Sequence, residues 1–129
     1  MPLLKFDVIQ GRTDEQLRTL LDVAHQAMVQ AFDVPFSDRY QSVTQHRPAE
    51  LILHDTGLGY TRSARVVLLT VVSRPRTQEQ KTSFYRLLAE KLQTACGLSP
   101  DDLIVSLVEN SDADWSFGGG RAQFLTGEL

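Results

Sequence analysis

Two stretches of helical periodicity alternate with short apolar bursts along this chain, and the same order of elements occurs twice. Leu3–Ile9 reads as a strand, with a breaker at Gly11. Thr13-Asp14-Glu15-Gln16 has the Thr-x-x-Gln form of a capping box, in which two orphan backbone donors are satisfied reciprocally. Leu17, Leu20, Leu21, Ala24, Met28 and Ala31 then recur at helical spacing. That helix should end near Phe32–Val34, because Pro35 disfavours helical geometry in the residue before it. Tyr40–His46 has strand character and Pro48 closes it. Leu51-Ile52-Leu53 forms a further short strand, and His54–Ser63 a loop. Val66–Val72 is a continuous apolar strand, expected to be buried on both faces. Thr77-Gln78-Glu79-Gln80 is a second capping box. Phe84, Leu87, Leu88, Leu92 and Ala95 mark the second helix, which Gly97 is placed to end. A turn at Ser99-Pro100-Asp101-Asp102 leads into a last strand, Leu103–Val108.

The two passes are related by a shift of 64 residues. Arg12, Thr13, Glu15 and Gln16 fall on Arg76, Thr77, Glu79 and Gln80; Asp38 falls on Asp102. The chain therefore reads as one α+β domain, residues 1–129, made of duplicated β-α-β units (approximately 2–63 and 66–129). Right-handed crossovers give a four-stranded mixed core sheet with two helices on one face. The other face then lacks cover, which predicts homo-oligomerisation through it. Pro2 falls on Val66, so only one half can offer a proline at a chain terminus.

Composition narrows the class. A net charge of −3 lacks the broad basic face that nucleic-acid binding needs, and no run approaches the ~18 apolar residues of a membrane span. The sole cysteine, Cys96, excludes an intrachain disulfide and paired-cysteine metal sites, and reads as packing filler beside Gly97. With no secretory leader pattern, a cytoplasmic protein without nucleic-acid or membrane partners is expected.

Candidate chemistry is sparse and local. If Met1 is removed, the ring nitrogen of Pro2 becomes a free secondary amine, able to act as acid, base or carbonyl-capturing nucleophile. Arg74-Pro75-Arg76 leaves the strongest strand on extended backbone and precedes a helix N-terminus. That combination suits a carboxylate or phosphate, although an ordinary salt-bridged pair has the same sequence. Asp38, in a Pro-x-x-Asp-Arg connection, is either a turn cap or a general base. Asp112 and Asp114 lack the histidines or spacing of a metal site. Trp115 and Phe117 form an apolar wall, and Phe124 and Leu125 pack behind the glycines 118–120. His25 lies at the margin of helix one; His46 and His54 sit at strand and loop ends without ligand spacing.

Taken together, Pro2-Leu3-Leu4, Asp38-Arg39-Tyr40-Gln41, Gln45-His46-Arg47-Pro48, the Asp55–Tyr60 loop, Ser73-Arg74-Pro75-Arg76 and Glu109–Phe117 resemble the tautomerase superfamily over essentially the whole chain. The likeness is greatest to its members that decarboxylate malonate semialdehyde. The resemblance implies a homotrimer of fused β-α-β units. It makes Pro2 the catalytic amine, Asp38 its acidic partner, and Arg74 and Arg76 the carboxylate binders. Trp115, Phe117 and Leu129 would lie near the pocket. The implied reaction takes a small oxo acid to acetaldehyde and CO2 with no metal or organic cofactor. Hydration or dehalogenation of a small unsaturated acid, keto-enol tautomerisation, and a non-enzymatic cytokine-like trimer are the competing readings.

Overall fold

The computed structural model describes residues 1–129. Four strands, β1 (Leu3–Ile9), β2 (Tyr40–His46), β3 (Val67–Ser73) and β4 (Leu103–Glu109), form one sheet in the order β2-β1-β3-β4. β1 pairs parallel with β2, and β3 parallel with β4, while the central β1–β3 pair is antiparallel. Helices α1 (Asp14–Phe32) and α2 (Gln78–Cys96) make the two crossovers. The expected duplication holds to the residue for β1 and β3 and for α1 and α2. β4 begins one residue earlier than the shift would place it.

Both helices start as their capping boxes predict. Thr13 Oγ1 accepts the Gln16 N–H at 3.1 Å and Gln16 Oε1 accepts the Thr13 N–H at 2.9 Å; Thr77 and Gln80 repeat this at 3.1 and 3.0 Å. A cap of this kind contributes about 1 kcal/mol. Both helices end on a left-handed residue, Asp33 (φ 52°) and Gly97 (φ 63°). Glycine adopts that conformation freely; an aspartate does so against its Cβ.

One face of the sheet and the inner stripes of both helices make the core. Leu4, Phe6, Val8, Val67, Leu69 and Val71 meet Leu20, Ala24, Met28, Phe32, Phe84, Leu88 and Leu92, all buried. The opposite face is only half covered: Leu68, Thr70 and Val72 alternate with the buried positions of β3. The apolar run of β3 is thus buried on one face in the single chain, not on both.

Other expectations are corrected. Leu51-Ile52-Leu53 is not a strand, because it finds no ladder partner in the chain, and Ile52 is largely exposed. Between β2 and β3 only a short 3-10 turn, Pro48–Glu50, is regular. His25 is fully buried rather than marginal; its Nε2 lies 2.6 Å from the Phe36 carbonyl and its ring meets Phe36 edge-on. A four-residue helix, α3 (Gln123–Thr126), follows the glycines, with Phe124 half-buried and Leu125 exposed. No helix is long and apolar enough to cross a membrane.

Candidate active site

The antiparallel centre of the sheet decides which residues meet. Because β1 and β3 run in opposite directions, the start of β1 lies beside the end of β3, with Leu3 opposite Val72. Leu3 is also opposite Tyr40, the first residue of β2. Pro2, Asp38, Arg74 and Arg76 therefore converge on one end of the sheet, although they span more than half of the chain.

Pro2 is buried. Asp38 closes a turn in which its N–H donates to the Pro35 carbonyl at 3.0 Å. Its carboxylate is 8% exposed, and Oδ2 has no hydrogen-bond partner. A buried carboxylate oxygen left in that state is costly, and such costs concentrate at functional sites. The nearest cation is the chain's α-amino group, on Met1, 3.9 Å from Asp38 Oδ2. Burial pushes that amine below its usual value of 8.0; Asp38 opposes the shift, while Arg76 and Arg74 add to it. Three charges thus act on this one amine.

Arg76 is held from behind. Its Nε donates to Ser73 Oγ at 3.0 Å and Nη1 to the Phe32 carbonyl at 3.4 Å, with the guanidinium 5.0 Å from the centre of the Phe32 ring. No carboxylate pairs with it, and burial, with Arg74 adding, pulls its pKa down against Asp38. A half-desolvated arginine without an anion is prepared to receive one. Arg74 is more engaged: Nη1 donates to Asp112 Oδ1 at 3.0 Å, and the guanidinium lies 3.8 Å from the centre of the Phe124 ring.

The C-terminal segment walls this end of the sheet. Trp115 and Phe117 stack at 5.2 Å; Phe117 also meets Tyr40 at 5.6 Å and Phe124 edge-on at 5.4 Å. Trp115 Nε1 donates to Asn110 Oδ1 at 2.8 Å, which fixes the indole. Trp115 stacks on Phe117, and Phe117 connects to Arg74 through Phe124. Leu129 is 57% exposed; its N–H donates to the Gln123 carbonyl at 3.3 Å. Asp112 pairs with Arg74, and Asp114 accepts both the N–H and O–H of Ser111. Ser73, Asn110, Asp112 and Phe124 were not singled out as site residues from sequence. Their roles arise from contacts across the fold that no local spacing encodes.

Known proteins identify the family. Two models of the family described as tautomerase enzyme match the chain, one over residues 38–118 and one over residues 2–61. A probable tautomerase of Bacillus subtilis strain 168, YrdN, is 57% identical over the full length of both chains. The chain belongs to the tautomerase family. Among solved structures of this tautomerase fold, a malonate semialdehyde decarboxylase studied for its decarboxylase and hydratase activities superposes with a TM-score of 0.97. It shares 68% identity over 98% of each chain. The FG41 malonate semialdehyde decarboxylase, inhibited by 3-bromopropiolate, superposes with a TM-score of 0.94. There the identity is 38%, over 98% of this chain and 97% of that one.

Proposed function

We propose that this tautomerase-family chain, once Met1 is removed, decarboxylates malonate semialdehyde to acetaldehyde and CO2. The observation that carries the reading is the convergence of Pro2, Asp38 and the unpaired Arg76 at one end of the sheet. The 68% identity to a malonate semialdehyde decarboxylase supports the choice of substrate.

The chemistry follows from the parts. Arg76, with Arg74, holds the substrate carboxylate and turns the breaking C–C bond out of the carbonyl plane, aligned with the π system. As CO2 leaves, the bonding pair moves into the carbonyl carbon chain and needs a sink. A protonated Pro2 amine supplies one by hydrogen-bonding the developing enolate oxygen. A neutral Pro2 amine supplies a stronger one by first condensing with the aldehyde to an iminium, releasing water. Protonation of the enolate or enamine carbon, with hydrolysis in the second route, gives acetaldehyde. Asp38 sets the balance between the two amine states, since its charge raises the amine pKa while burial and the arginines lower it.

A second reading rests on the unpartnered Asp38 Oδ2, which is free to activate a water. The same site would then hydrate small unsaturated acids, in keeping with the hydratase activity of the 68% identical relative. We further infer a homotrimer, since only one sheet face is covered by helices and Ile52, Leu58, Tyr60 and Val108 are exposed on the single chain. Scattering-coupled chromatography should then return three copies of the 14.5 kDa chain.

The deciding experiment pairs intact mass with turnover. Chains beginning at Pro2 should release acetaldehyde from malonate semialdehyde, and chains extended by one residue ahead of Pro2 should not. Equal turnover by the extended chain would remove Pro2 from the mechanism. Borohydride trapping followed by peptide mapping separates the two sinks: label on Pro2 shows that its amine captures the aldehyde, and full turnover without label favours hydrogen bonding.

A further inference from the structure

The duplication builds a counterpart of this site at the other end of the sheet, and the counterpart is a cavity. The 64-residue shift carries Arg76 back to Arg12, Asp38 forward to Asp102, and Pro2 to the buried Val66. Around Arg12 lies a hollow of about 410 Å³, lined also by Arg65, Leu20, Ala95, Cys96 and Leu98. That volume falls in the range of ordinary small-molecule pockets. Neither arginine is paired with a carboxylate. Arg12 Nη2 donates to the Arg65 carbonyl at 2.8 Å, and Arg65 Nη2 to the Cys96 carbonyl at 3.2 Å, which leaves further guanidinium donors on both. The one acid on the lining is Glu15, in the first turn of α1.

The two ends differ where catalysis would need them alike. Val66 has no amine to offer. Both oxygens of Asp102 are occupied, accepting the N–H and the O–H of Ser63 at 2.6 Å each, so this carboxylate cannot serve as a base. What survives is the anion-binding half of the arrangement. Burial first, then Arg65, pulls the pKa of Arg12 down, the same pattern that Arg74 and burial impose on Arg76.

We propose that this pocket is a second, non-catalytic binding site for a small organic monocarboxylate with an apolar tail. The carboxylate head meets Arg12 and Arg65, and the tail lies on Leu20, Ala95 and Leu98. Retention without turnover follows from the missing amine.

Cys96, the only cysteine, lines the pocket and reports on its occupancy. The probe is hexanoate, with hexanamide as its uncharged control, and the measurement is the rate of Cys96 alkylation by iodoacetamide on the full chain. At ten times its Kd, hexanoate should slow alkylation about tenfold, and hexanamide should not. Arg12→Gln and Arg65→Gln should each lose the protection. Arg65 is exposed, so its variant keeps the test available if Arg12→Gln fails to fold. Arg76→Gln should retain the protection, which separates this pocket from the catalytic end and makes the test independent of malonate semialdehyde turnover. Unchanged rates with hexanoate, equal protection by hexanamide, persistence of protection in Arg65→Gln, or a Cys96 that reacts only after unfolding would each overturn the proposal.

Discussion

Asp38 and Asp102 sit in equivalent turns of the two halves, and only Asp102 has its carboxylate satisfied. Each backbone N–H bonds three residues back, to Pro35 at 3.0 Å and to Ser99 at 2.9 Å. Ser63 then caps both oxygens of Asp102, while Oδ2 of Asp38 accepts no hydrogen bond, the α-amino group standing 3.9 Å away. Two copies of one turn thus carry one structural carboxylate and one kept available.

Asp38→Asn should separate activity from stability. The amide is isosteric and removes a buried charge, so the melting temperature should hold or rise. Turnover of malonate semialdehyde should fall roughly 10²–10⁴-fold, the usual worth of a positioned acid–base group. Paired thermal melts and steady-state rates check this, and a stability loss with activity intact would contradict it.

Asp102→Ala should do the reverse. It strands the Ser63 donors and should cost about 1–3 kcal/mol in urea unfolding. The kcat of the folded fraction should stay that of the parent, because Asp102 lies at the opposite end of the sheet from Pro2.

Much of this contrast was written locally, and some of it was not. Both helices could be read from their capping boxes and from Pro35 and Gly97, because those signals act within a few residues. Arg74 and Arg76 were visible as a pair on extended backbone. Their partners were not: Ser73 reads as the end of a strand and Asp112 as a loop acid until the fold brings them to the guanidinium groups. Leu51–Leu53 shows the converse failure. Three apolar residues satisfy a strand pattern, but a strand also needs a neighbour, which local pattern cannot supply. A helical projection puts His25 at the rim, because it does not show that the turn at Phe36 packs over the ring.

Arg76→Gln should weaken carboxylate binding and shift the α-amine. Losing a charge-assisted hydrogen bond is worth about 1.5–3 kcal/mol, so kcat/KM should drop roughly 10–150-fold. In the Met1-bearing chain the amine pKa should move up, since Arg76 lowers it, whereas Asp38→Asn should move it down. The pH dependence of reductive methylation, read by mass spectrometry, gives both midpoints. The stability sign also follows. In the Met1-bearing chain the folded amine has the lower pKa, so the unfolded state binds more protons between the folded value and 8.0. Stability should therefore rise with pH through that window and gain nothing from this group above it.

Asp33→Gly should stabilise the protein. Asp33 holds the left-handed cap of α1 at φ 52°, where Gly97 does the same for α2 at φ 63°. Relief of Cβ crowding outweighs the added freedom of glycine in the unfolded chain, for a net gain of about 0.5–1 kcal/mol in denaturant unfolding.

The antiparallel seam between β1 and β3 has a consequence for engineering. It gives the molecule two like ends facing opposite ways, each with an arginine at a helix start and an aspartate in a turn, and only one with a chain terminus beside them. A backbone opened just ahead of residue 66, with proline placed there, would give the quiet end a secondary amine of its own. One designed cut could thus ask how much of a catalyst the surrounding fold already contains.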